Sequence, residues 1–186
     1  MSEKTRCPWV NLKNPKYIKY HDKEWGRPIR RDQKHFECLT LEGAQAGLSW
    51  ETVLNKREGY RKLFADFDIT KVSKFTDAKL EKILTNPAII RNRLKVYSTR
   101  TNAQAFLKVQ KEFGSFNKYI WGFVDGETIK NSPKTIKQYN SKTALSDKIS
   151  KDLKKRGFKF IGSTIIYAYL QAAGIVDDHS SDCFCH

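Results

Sequence analysis

LSDKISKDLKKRGFKFIGSTIIYAYLQAA, residues 145–173, is the stretch that decides the fold. Apolar residues recur every four positions from Leu145 to Leu153, which predicts an amphipathic helix. The second half of the stretch is apolar enough to form a buried helix. A short segment bracketed by Gly157 and Gly162 separates the two halves. We therefore predict two helices joined by a tight turn, which is a helix–hairpin–helix pattern.

The turn has the composition of a phosphate-binding site. Glycines let a phosphate approach the backbone closely, free N–H groups open the second helix, and neighbouring cations neutralise charge. Ser163 or Thr164 is the expected N-cap of that helix. The alternative is an ordinary helical hairpin with a solvated basic end. The residues predicted to contact the DNA backbone are Lys155, Arg156, Gly157, Phe158, Lys159, Gly162, Ser163 and Thr164.

Helical periodicity covers most of the remaining chain, and strand-like alternation never persists. Residues 1–31 contain three prolines and are predicted to be irregular, and the polar residues 127–142 are predicted to form a loop. The sequence therefore predicts an all-α fold. The predicted helices begin after Asp32 as N-cap, after Ser49, at Thr76 or Asp77, at Ala88 (running to about Glu112) and after Ser115.

The charge of the chain favours a polyanionic partner. Lys and Arg total 35 against 20 Asp and Glu, giving a formal net charge of +15. This excess favours nucleic acid, with a membrane surface as the competitor and a merely solubilising coat as the alternative. Since no apolar stretch could span a bilayer or act as a secretory signal, we expect a cytoplasmic location. The length of 186 residues suggests one domain.

Cysteine and histidine lie towards the two ends of the chain, and the long middle has none. In a reducing cytosol such residues suggest a metal rather than disulfides. Cys7, His21, His179 and Cys183 form the usual complement of a tetrahedral zinc, whose four protein ligands would make it structural. Unpaired surface residues are the alternative, and His35 and Cys38 are predicted to be packing residues. On spacing alone, Cys183 could be replaced by Cys185 or His186.

A carboxylate lies among small and apolar residues in the run LEGAQAGLSW, residues 41–50. Glu42 falls on or beside the buried face of its helix, where an unpaired carboxylate is costly. An acid beside the ring of Trp50 suits a cationic heteroaromatic ligand, because rings stack and a carboxylate supplies charge and accepts hydrogen bonds. The alternative is that Glu42 pairs with an internal cation and that Trp50 belongs to the core.

Four runs together resemble the bacterial 3-methyladenine DNA glycosylase I family. They are YHDKEWG (20–26), LEGAQAGLSW (41–50), IIR (89–91) and KRGFKFIG (155–162), and the similarity covers essentially the whole chain in order. The resemblance implies a helix–hairpin–helix glycosylase fold whose termini are joined by a structural zinc. It implies one catalytic domain, residues 1–186, in which residues 1–31 and 175–186 form the zinc-tied lobe. The implied zinc ligands are Cys7, His21, His179 and Cys183.

The same resemblance implies that Glu42 reads a flipped base, that Tyr20 and Trp50 stack on it or line its pocket, and that Trp9 is a further pocket aromatic. The implied reaction is hydrolytic release of 3-methyladenine from double-stranded DNA after base flipping. No lysine is placed as a Schiff-base nucleophile, so no lyase activity is expected. Asp177 matches the position of a catalytic acid in the wider superfamily, although it could instead support the zinc-ligand loop. A monomer without an obligate protein partner is expected.

Three other functions remain compatible with the sequence. A non-enzymatic helix–hairpin–helix DNA-binding module would explain the charge and the hairpin but would leave Glu42 without a role. A zinc-stabilised protein-interaction domain would show no salt-dependent binding to DNA. A glycosylase of the same fold could also prefer another lesion.

Overall fold

The computed structural model describes residues 4–186 and is mostly helical, as predicted. Two short strands, β1 (Ile129–Lys130) and β2 (Val176–Asp177), pair in parallel. Three 3-10 helices span Ala65–Phe67, Gly122–Val124 and Ile136–Gln138. The α-helices of the described residues are α1 (Pro15–Lys23), α2 (Asp32–Gln45), α3 (Trp50–Leu63), α4 (Ile69–Ser73), α5 (Asp77–Leu84), α6 (Arg93–Phe113), α7 (Phe116–Trp121), α8 (Ala144–Lys155) and α9 (Ser163–Ala172).

Short polar side chains start three of the helices where the sequence predicted them. The side chains of Ser49, Thr76 and Ser115 accept hydrogen bonds from backbone N–H groups in the first turns of α3, α5 and α7. Each bond satisfies a donor that the helix itself leaves free. Among residues 4–186, none of the helices combines the length and apolar character that a membrane span requires.

Two predicted boundaries are wrong. Residues 15–23 form α1 rather than irregular chain, because Pro15 occupies the first helical position, where its missing N–H costs nothing, and Asn14 caps the helix. The long helix α6 begins at Arg93 rather than at Ala88. The side chain of Asn92 caps it by accepting from the Lys95 N–H.

Two predicted caps are also wrong. Asp32 is the first residue of α2, and its carboxylate instead accepts from the backbone N–H groups of residues 116 and 117, which start α7. Gly162 is the N-cap of α9 and offers no side chain, whereas the Ser163 hydroxyl bonds Ser146 in α8 at 2.8 Å. In both cases the polar side chain serves a neighbouring helix, which a reading of local sequence does not anticipate.

Two apolar clusters divide the interior. The larger is built around aromatic rings such as Phe106 and Phe116, which stack with centroids 4.0 Å apart. The smaller joins the two ends of the chain and contains Cys7, Tyr20 and Cys183. Trp50 packs against both clusters. A site beside Trp50 therefore lies between the main helical body and the lobe formed by the termini.

Candidate active site

Glu42 is buried near the end of α2 with only 4% of its surface exposed. Burial raises the pKa of its carboxyl group from 4.5 to about 8, and within residues 4–186 neither a charge nor a hydrogen bond offsets that burial. The nearby cation Arg57 binds Glu24 and Glu37 instead, at 2.7 and 2.9 Å. The alternative in which an internal cation neutralises Glu42 is therefore excluded for the described residues.

Glu42 lines a cavity of about 280 Å³. Tyr20 and Trp50 lie on its walls, as the sequence predicted, and Trp9 joins them from the N-terminal segment. The Trp9 ring is held edge-on against Trp25, with centroids 4.6 Å apart. The site therefore combines an uncompensated buried acid with aromatic surfaces, the arrangement that suits a flat, positively charged ligand.

Tyr20 and Trp50 line the cavity, but in this structure no base fits between their rings. Their ring centroids are 5.0 Å apart and their planes are inclined at 44°. A ring between them would need about 7 Å, since stacked atoms are separated by about 3.5 Å on each side. The two side chains instead form adjoining walls, and a ligand can stack on either one but not between them.

Several cavity residues were missed by the sequence analysis. Tyr17 lies one helical turn before Tyr20, a spacing that would have indicated it if α1 had been recognised. Gln45 lies one turn after Glu42 in α2 and was read only as part of a motif. Trp25 was read only as part of the run YHDKEWG. No pattern in the sequence pointed to the others, which come from distant segments: Ile136, Tyr139, Asn140, Ala168 and Gln171.

The predicted metal ligands converge in the lobe formed by the two ends of the chain. Cys7, His21 and Cys183 place ligand atoms within 4.8 Å of one another. The Cys183 sulfur lies 3.5 Å from Nε2 of His21. The ring of His179 lies 5.3 Å from that of His21, and its buried Nε2 has no hydrogen-bond partner among residues 4–186. His179 places its ligand atom within 4.8 Å of those of Cys183 and Cys185. An orphaned buried imidazole nitrogen beside two thiols fits a bound metal.

Carboxylates orient both histidines. Asp22 lies 2.9 Å from Nδ1 of His21, and Asp177 lies 2.6 Å from Nδ1 of His179. Such contacts leave Nε2 of each ring as the free metal-binding atom. Asp177 does not line the cavity that contains Glu42. Its position therefore favours support of the ligand loop over a catalytic role.

Cys185 remains an alternative ligand, because its thiol lies within 4.8 Å of ligand atoms of both His179 and Cys183. His186 is turned elsewhere, with Nε2 at 3.1 Å from the hydroxyl of Ser132. Of these two alternatives, therefore, only Cys185 lies close enough to replace a member of the predicted four-ligand set.

The turn between α8 and α9 is fixed to α6. The Asn102 side chain donates to the Lys159 carbonyl at 3.0 Å and accepts from the Lys159 N–H at 2.7 Å. The Lys155 and Lys159 side chains are exposed, whereas the Phe158 ring is buried. Arg156 forms ion pairs with two neighbouring acids, so its guanidinium is engaged within the protein. Of the three cations predicted to contact the DNA backbone, Lys155 and Lys159 are therefore the two without an ion pair among residues 4–186.

Comparisons with known proteins agree with this geometry. A profile of the family described as methyladenine glycosylase matches residues 9–186. The DNA-3-methyladenine glycosylase of Haemophilus influenzae is 48% identical over 181 residues, which cover 97% of each chain. A crystal structure of 3-methyladenine DNA glycosylase I superposes with a TM-score of 0.95 at 45% identity, covering 98% of this chain and 100% of that one.

A further solved structure shows a variant of 3-methyladenine DNA glycosylase I in complex with 3-methyladenine. It matches with a TM-score of 0.93 at 35% identity, covering 97% of this chain and 96% of that one. The family match extends over nearly the whole chain, and sequence and structure point to the same relatives. The chain belongs to the methyladenine glycosylase family.

Proposed function

We propose that this protein is a DNA-3-methyladenine glycosylase that releases 3-methyladenine from alkylated double-stranded DNA as a step of base-excision repair. The observation that carries the proposal is the buried, unpaired Glu42 in an aromatic cavity. The relatives named for this activity, and the one solved with 3-methyladenine, support it. The test is a base-release assay on methylated DNA with identification of the product. Binding without release would favour the non-enzymatic DNA-binding module.

The chemistry follows from the charge of the lesion. A base inside duplex DNA is out of reach, so it must first be extruded at a cost of a few kcal/mol. A methyl group at N3 makes adenine cationic and weakens its glycosidic bond, so the leaving group is already activated. Water attacks the sugar carbon, the bond to the base breaks, the base departs neutral, and the water loses a proton. Among residues 4–186 no lysine lines the cavity, which supports hydrolysis without strand cleavage.

In this scheme Glu42 selects the cationic base over unmodified adenine. Its carboxylate accepts hydrogen bonds from the adenine edge and attracts the cationic ring, whereas Tyr20, Trp50 and Trp9 provide flat surfaces. Unmodified adenine is neutral and gives the buried carboxylate no compensating charge. The enzyme therefore discriminates 3-methyladenine from adenine because burial makes the ionised form of Glu42 unfavourable, and only a cationic base offsets that cost. A glycosylase with a different cationic lesion as its main substrate is the remaining alternative.

The activity should rise with pH up to about the pKa of Glu42. Burial raises that pKa to about 8, so below this pH the free enzyme holds Glu42 neutral and must release a proton to bind a cation. We expect kcat/KM for base release to increase between about pH 6 and 8, by at most about tenfold per pH unit, and then to level off. The measurement is initial base release across this range at constant ionic strength. A flat profile would contradict ionisation of Glu42 on binding.

We propose that a zinc ion is held by Cys7, His21, His179 and Cys183. The convergence of Cys7, His21 and Cys183, the proximity of His179 to Cys183, and the two histidine–carboxylate contacts support the set. With four protein ligands the ion would be structural, and the chemistry it supplies is a cross-link between the ends of the chain. We also propose that residues 1–186 form one catalytic domain in which residues 1–31 and 175–186 are the zinc-tied lobe.

We propose that α8, the turn and α9 act as a helix–hairpin–helix element that grips the DNA backbone, with Lys155 and Lys159 neutralising phosphates. Replacing both lysines by alanine should weaken binding to all DNA sequences alike and reduce the slope of log K against log salt by about 2, since each phosphate contact contributes about 0.9. The measurement is a titration of duplex DNA at several salt concentrations. Replacing two exposed lysines of α5, Lys79 and Lys82, is the matched control. Equal losses in both variants would contradict a specific role for the hairpin.

A cytoplasmic location and a monomeric state stay predictions.

A further inference from the structure

Three buried polar groups without a hydrogen bond of good geometry meet between the cysteine–histidine cluster and the cavity. They are the indole N–H of Trp9 and the hydroxyls of Tyr139 and Ser180, and none has a partner among residues 4–186. The Tyr139 hydroxyl lies beside the other two groups and beside the thiol of Cys7. Tyr139 also lines the cavity together with Trp9. It is therefore a residue that reaches both the cavity and a predicted metal ligand.

Leaving such groups unpaired is unfavourable, because a buried donor without a partner costs about 1–3 kcal/mol. The neutral thiol of Cys7 is a weak acceptor, whereas a thiolate accepts charge-assisted hydrogen bonds. Its sulfur already receives the backbone N–H of Ser180 at 3.4 Å. If Cys7 is a metal-bound thiolate, it can also receive the Tyr139 hydroxyl. The Tyr139 oxygen is then oriented to accept from Trp9.

The indole N–H of Trp9 has this bond as its available partner, since its other contacts are made by the face and edges of the ring. Its ring packs against Trp25 and, at 5.3 Å, against His21, but these contacts do not engage the indole N–H. The loop that carries Tyr139 is tied to the C-terminal segment at its other end, where the Ser181 N–H donates to the Pro133 carbonyl at 3.2 Å. Tyr139 therefore extends from a loop already anchored beside the metal cluster.

We propose that Tyr139 is a positioning residue whose hydroxyl donates to the Cys7 thiolate and accepts from the Trp9 indole, so that the metal centre fixes one wall of the base cavity. The inference rests on the proposed zinc site and the proposed glycosylase function. It gives the loop of residues 127–142 a role in base recognition. It also makes the zinc more than a cross-link, because loss of the thiolate releases Trp9.

The test compares Tyr139→Phe with Tyr60→Phe. Both variants keep the ring and remove a buried, unpartnered hydroxyl, but Tyr60 belongs to the main core rather than to the lobe. Zinc content is measured in the purified proteins, followed by the rate of zinc transfer to a chromophoric chelator. The dissociation constant for free 3-methyladenine and the kcat and KM for methylated DNA are measured alongside. We expect Tyr139→Phe to keep one zinc, to release it several-fold faster, and to bind 3-methyladenine several-fold more weakly with a larger change in KM than in kcat.

The possible outcomes distinguish this inference from the two proposals on which it rests. Wild-type protein without zinc would overturn both the metal site and the inference. A zinc-loaded Tyr139→Phe variant with wild-type zinc release and base affinity would overturn the inference alone, as would faster zinc release without a change in base affinity. Equal effects of Tyr60→Phe would also overturn it, because they would show a general cost of losing a buried hydroxyl.

Discussion

Glu42→Gln is expected to lose base release almost completely while making the folded protein more stable at alkaline pH. The change keeps the shape of the side chain and removes its negative charge. Both the attraction for a cationic base and the charge-assisted hydrogen bonds are lost, so we expect kcat/KM on methylated DNA to fall by at least about 100-fold. Binding to undamaged duplex DNA should not change, because Glu42 lies inside the cavity.

The gain in stability follows from the raised pKa. Glu42 titrates near 8 in the folded protein and has an ordinary value of 4.5, so the folded state binds the proton more tightly. Stability therefore falls as pH rises through this window, and the full cost, on the order of a few kcal/mol, is present above pH 8. Glutamine does not ionise. Glu42→Gln should thus unfold at higher denaturant than wild type at pH 9 and at nearly the same concentration at pH 5.

Glu51→Gln is the matched control. Glu51 accepts hydrogen bonds from Asn11 and Asn14, which lower the pKa of its carboxyl group, so its ionised form is favoured in the folded state. This variant should not gain stability at pH 9. If Glu42→Gln releases the base as wild type does, or is less stable than wild type at pH 9, the buried carboxylate does not have the role assigned to it.

Removal of the proposed zinc should cost more stability than any other single change proposed for the lobe. The four proposed ligands come from the first and last parts of the chain, so the ion would close a loop of nearly the whole protein. By analogy with a disulfide across a long loop, we expect His179→Ala or chelation to destabilise by at least about 3 kcal/mol and to lower the Tm by about 10 °C. Thermal unfolding followed by circular dichroism, with metal content measured on the same samples, provides the check.

Cys185→Ala distinguishes the ligand sets. Cys185 lies close enough to compete for the metal, but the predicted set does not include it. The variant should keep one zinc and a wild-type Tm. Loss of zinc from Cys185→Ala would reassign the ligand, and an unchanged Tm after verified metal removal would contradict a structural ion. At a temperature where His179→Ala is folded, its base release should fall far less than that of Glu42→Gln.

The sequence by itself determined those features that depend on neighbouring residues. Helical periodicity predicted the helical character, and the caps at Ser49, Thr76 and Ser115 lie where they were predicted, because a helix start depends on a few consecutive residues. Glu42 stood out since an acid in an apolar run requires an explanation. The family motifs then indicated the fold and the chemistry together.

Only the tertiary structure decided which groups meet. Arg57 is held by other acids and leaves Glu42 unpaired, Tyr20 and Trp50 form adjoining walls, and the Tyr139 hydroxyl lies beside Cys7. These relations join residues far apart in the chain, and they depend on how helices pack rather than on local propensity. Local patterns fix which elements form, but the partner of a buried polar group is set by the packing of distant segments, which a single sequence does not specify.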